Sequence, residues 1–75
     1  MRKRVVRNKA AFAKALELWA ESRERAVIDL SRQAAILADQ GCNDDAAHFN
    51  FAARSLTVKA VHERAQAAAL RAAAA

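Results

Sequence analysis

A metal or catalytic site in this chain would draw on Cys42, Asp44, Asp45, His48 and His62. Zinc would take four nitrogen or sulfur donors in a tetrahedron, and a cysteine nucleophile would need a histidine base, an oxyanion donor pair and a pocket. The spacing satisfies neither demand. On one helix His48 and His62 lie on similar faces but about 21 Å apart, and Cys42 with His48 and one aspartate gives three donors with no zinc or calcium-loop spacing. Neither a glycine-rich phosphate loop nor a serine elbow is present. The expectation is a chain without catalytic residues, metal or cofactor.

The same residues read coherently as a turn. Gly41, the only glycine, suits the left-handed position that ends a helix, and Cys42 after it would meet Leu37 in a Schellman-type cap. Asn43 is placed to cap the next helix. Asp44 and Asp45 then fall in its first turn, at the positive end of the helix dipole.

Two long helices must flank that turn. Proline is absent, glycine occurs once, alanine, leucine, arginine, glutamate and glutamine dominate, and β-branched residues are few and scattered, so the composition is helical throughout. From Asn8, read as an N-cap, apolar residues recur at Phe12, Leu16, Trp19, Ala26 or Val27, Leu30, Ala34 and Leu37. After the turn they resume at Phe49, Ala53, Leu56, Ala60, Ala67 and Leu70, with Glu63 in the same row. This predicts a basic arm over residues 1–9 and a helical hairpin over 10–75, with helices over about 9–40 and 44–72 and a turn over 41–43. The fold class is all-α, an antiparallel two-helix hairpin.

Folding the hairpin about Cys42 pairs Leu30 with Leu56 or Ser55, Leu37 with His48 or Phe49, and Trp19 with Gln66 or Ala67. Phe12, Leu16 and Trp19 then face alanines, so that large and small volumes match. Arg23 comes beside His62 or Glu63, and an Arg23–Glu63 ion pair explains two charges placed in apolar rows. Ile28, Ile36, Phe51, Val58 and Val61 remain outside the hairpin's own seam. Burying such residues contributes about 1.5–3 kcal/mol each, which predicts a homodimer forming a four-helix bundle, or a protein partner, on that surface.

Charge points to a second partner. The net charge is +5, and the whole excess lies in MRKRVVRNK, where Arg2, Lys3, Arg4, Arg7 and Lys9 meet no acid; residues 10–75 carry eight charges of each sign. Such an arm predicts weak, salt-dependent and sequence-independent nucleic-acid binding; the alternative is a solubilising tail. Two long helices joined by a short turn do not make a helix-turn-helix, so base readout is not expected. One cysteine, no secretory apolar run after Met1 and no membrane-length apolar segment predict a cytoplasmic protein with no membrane partner. The basic amphipathic stretch up to Trp19 also permits a membrane-surface or targeting helix, ranked below the other readings.

The stretch from Ala34 to Ala53, AAILADQGCNDDAAHFNFAA, resembles the inter-helix region of tetratricopeptide-like hairpins, where a glycine ends one helix and alanines let the next pack closely. A single copy does not make a repeat protein. In size, in its alanine- and arginine-rich composition and in the LADQGCNDDAA turn, the chain also resembles the small Kle-type accessory proteins of IncP broad-host-range plasmids. That resemblance implies a bacterial cytoplasmic protein connected with plasmid maintenance and supplies no catalytic residues.

Overall fold

A computed structural model describes the backbone of residues 2–74 and the side chains of residues 8–74. Two helices account for nearly all of it, α1 over Arg2–Asp39 and α2 over Asn43–Ala74, and they pack antiparallel along their length. The chain is therefore the all-α hairpin that its composition demands. The rod measures 57 × 17 × 13 Å.

α1 begins at Arg2, so Asn8 sits inside the helix and does not cap it. Nothing between Arg2 and Phe12 breaks a helix, since the segment lacks glycine and proline. The basic segment is thus the first turns of α1. Its first turn contains no acidic residue, an arrangement at odds with the helix dipole that places cations at the positive end.

At the other end of α1 the backbone forms a complete Schellman motif. The Cys42 amide donates to the Leu37 carbonyl at 2.8 Å and the Gly41 amide to the Ala38 carbonyl at 3.0 Å, while Gly41 adopts φ +82°. The cap of α2 differs from expectation. The Ala46 amide donates to the Cys42 carbonyl, so Cys42 occupies the cap position and Asn43 the first helical one. Asp44 and Asp45 lie in the first turn of α2 and Arg71 in the last, both in accord with the dipole. A Cβ at Gly41 would meet nothing within 4 Å, so the cost of Gly41→Ala is purely conformational. We expect a loss of about 1–2 kcal/mol on urea unfolding, and a smaller loss for Gly41→Asn, which tolerates the left-handed region.

The seam repeats every seven residues on both helices. On α1, Ala13, Ala20, Val27 and Ala34 alternate with Leu16, Arg23, Leu30 and Leu37; on α2, Ala46, Ala53, Ala60 and Ala67 alternate with Phe49, Leu56, Glu63 and Leu70. All the alanines in this set are buried, and Leu70 packs against Ala13, Leu16 and Ala67 at the open end. Alanine at matching positions of both helices lets the backbones approach closely.

That close approach corrects two sequence assignments. Phe12 and Trp19 were expected in the seam facing alanines, but they are 49% and 50% exposed, and Ala13 and Ala20 hold the buried positions. A reading that follows the largest side chain on a face steps one residue off wherever the seam is built from small ones. Leu16, also expected there, is buried.

Candidate interaction surfaces

Among the described residues, three ion pairs tie the helices together in one register. The Arg23 Nε donates to both carboxylate oxygens of Glu63 at 2.8 and 2.9 Å, within the seam itself. Beside the seam, Arg64 makes a two-pronged pair with Glu24, and Arg71 another with Glu17, every bond at 2.7 Å. The expected Arg23–Glu63 pair is present. The two flanking pairs were missed, although Glu17, Glu24, Arg64 and Arg71 each lie one residue after a seam position, where antiparallel helices bring such neighbours together.

Hydrogen bonding to Arg71 and Arg64 lowers the pKa of Glu17 and Glu24 respectively, and the partner arginines are held more firmly protonated in return. Whatever these pairs contribute is therefore fully present above the ordinary carboxylate value of 4.5 and is lost as the pH falls through the lowered folded values. Both pairs are solvated, so they serve register more than stability.

Charge is unevenly spread along the rod. Of the arginines on the hairpin body, Arg23, Arg64 and Arg71 are bound to glutamates. From Arg2 to Leu16 the sequence holds six cations, Arg2, Lys3, Arg4, Arg7, Lys9 and Lys14, and no acid. The side chains of Arg2, Lys3, Arg4 and Arg7 lie outside the described residues; Lys9 is partly buried and Lys14 exposed. At the other end, residues 33–53 carry Asp39, Asp44 and Asp45 and no lysine or arginine. The rod is basic at its open end and acidic at its turn.

The turn residues do not converge on a ligand. Cys42 is a free, exposed thiol, and Asp44, Asp45, His48 and His62 are all exposed. Among the described residues no three histidine, cysteine or acidic side chains gather closely enough to hold a metal ion. No described helix is long and apolar enough to cross a membrane.

The surplus apolar residues are exposed as a group but do not share one face. Phe51, Val58 and Val61 on α2 are 67%, 55% and 61% exposed and fall on a single row of the helix, continued by Ala65 and Ala68. This row lies nearly opposite the seam, so α2 is apolar on two faces. Ile28 and Ile36 are also half-exposed, but their heptad positions set them about 100° apart around α1, with Arg25 and Arg32 nearby. Comparison with protein-family models, with curated proteins and with solved structures finds no match to this chain.

Proposed function

We propose that the chain is a small non-catalytic accessory protein that binds nucleic acid weakly and without sequence preference through the basic first turns of α1. The observation that supports this reading is the segregation of charge. Residues 10–75 carry eight charges of each sign, and Arg23, Arg64 and Arg71 among them are bound to glutamates, while six cations stand within about 18 Å of helix axis from Arg2 to Lys14 with no acid among them. Duplex DNA presents one phosphate charge per about 1.7 Å, so a short cationic helix can meet several phosphates at once. Polyanion binding also relieves the conflict between these cations and the helix dipole. A role in plasmid maintenance in the bacterial cytoplasm rests on the Kle-type resemblance of the turn and composition.

The test is binding to generic duplex DNA over a salt series. Five phosphate contacts give a log K against log salt slope of about −4.5, and Gln at Arg2, Lys3, Arg4, Arg7 and Lys9 together should abolish it. Absence of binding at low salt, or a slope unchanged in that variant, sinks the reading. The alternative, a protein adaptor working through the exposed row of α2, draws on the exposure of Phe51, Val58 and Val61.

A further inference from the structure

The hairpin buries little besides methyl groups. Its covered positions are alanines, Leu16 and the ion-paired Glu63, whereas Phe51, Val58 and Val61 face outward. A folded monomer of 8.2 kDa ordinarily exposes about 4,500 Å², and this chain exposes 5640 Å². The excess of about 1,100 Å² is more than the roughly 800 Å² that each partner hides in a stable dimer.

We infer that a second copy of this chain docks antiparallel along the outer face of α2, with the two-fold axis passing between Val58 and Val61. Beyond area, two properties of this face select a second copy over an unrelated protein. The first is self-complementary volume. With the axis there, Val58 faces Val61 of the second copy, while Phe51 faces Ala68 and Arg54 faces Ala65, so the two largest side chains of the row each meet an alanine. Arg54, the only charge in the row, lays its stem over alanine and keeps its head in water.

Charge is the second. An antiparallel arrangement brings the acidic turn of one rod, with Asp39, Asp44 and Asp45, beside the basic open end of the other. A parallel arrangement would stack like charges at both ends. The outer face of α1 breaks up its exposed Leu18 and Ile28 with Lys14, Glu21, Arg25 and Arg32, four charges against the single one in the α2 row.

This inference goes beyond the nucleic-acid reading and is independent of it. Its test uses the native thiol. Cys42 is unpaired and exposed at the turn, so a spin label there reports the mutual orientation of two copies. The antiparallel dimer sets the two labels about 50 Å apart along the axis, nearly the length of the rod. In parallel, Val58→Glu should weaken association about thirtyfold or more by light scattering while leaving the helical circular dichroism unchanged, and Ile36→Glu should leave association intact. A protein monomeric at every soluble concentration overturns the inference and passes the row to a different protein. Labels close together, or a Val58→Glu chain that still dimerises, overturn it as well.

Discussion

Ala60→Leu lowers the unfolding free energy by about 1–3 kcal/mol, while the same change at Ala69 stays within about 0.5 kcal/mol. Ala60 is 1% exposed at the middle of the alanine row, and by register it stands opposite Val27. A leucine there adds three carbons where two backbones already approach closely. The helices must separate, and separation loosens the neighbouring layers at Ala53 and Ala67 and stretches the Arg23–Glu63 pair. Ala69 lies on the same helix, exposed and outside both apolar rows, so the control carries the same small change in helix propensity without the clash. A domain this small draws only about 3–5 kcal/mol from its own core, so the loss is a large share of the whole. Urea unfolding of both variants decides it. Equal midpoints would mean that the seam is not close-packed.

Much of this architecture is legible in the sequence because a short hairpin leaves few choices. Gly41 followed by Cys42 announces the Schellman turn, the absence of proline lets both helices run long, and Arg23 and Glu63 interrupt their rows at positions that face each other. Other features were hidden for physical reasons. Hydrophobic periodicity weights large side chains, so Phe12 and Trp19 outranked Ala13 and Ala20, which the close approach of two alanine rows brings inside. Asn8 resembles a cap, yet a cap residue inside a continuous helix-forming stretch does not start a helix. The pairs Glu17–Arg71 and Glu24–Arg64 follow only once the register is known to one residue. Of the candidate surfaces, the α2 row was identifiable from its spacing. The basic segment and the acidic turn are both legible in the sequence, and the hairpin places them at opposite ends of one rod.

The last expected result concerns Arg23 and Glu63, the only charged residues in the two heptad rows over Ala13–Leu70. The Glu63 side chain is 12% exposed and accepts from Arg23, whose side chain retains 34% exposure. The two partners are therefore unequal. Arg23→Leu strands a covered carboxylate and costs about 1–3 kcal/mol, offset in part by the new leucine. Glu63→Leu costs less, because the guanidinium left behind can turn into water. Replacing both with leucine restores a fully apolar row, and the thermal midpoint should rise above that of the parent, as removal of covered ion pairs commonly allows. The order of midpoints is then double variant, parent, Glu63→Leu, Arg23→Leu. If the double variant falls below the parent, the pair itself stabilises the fold. If the predicted order holds, the pair serves specificity: a row of alanine and leucine can slide by a heptad, and one charged layer penalises every register in which Arg23 and Glu63 do not meet.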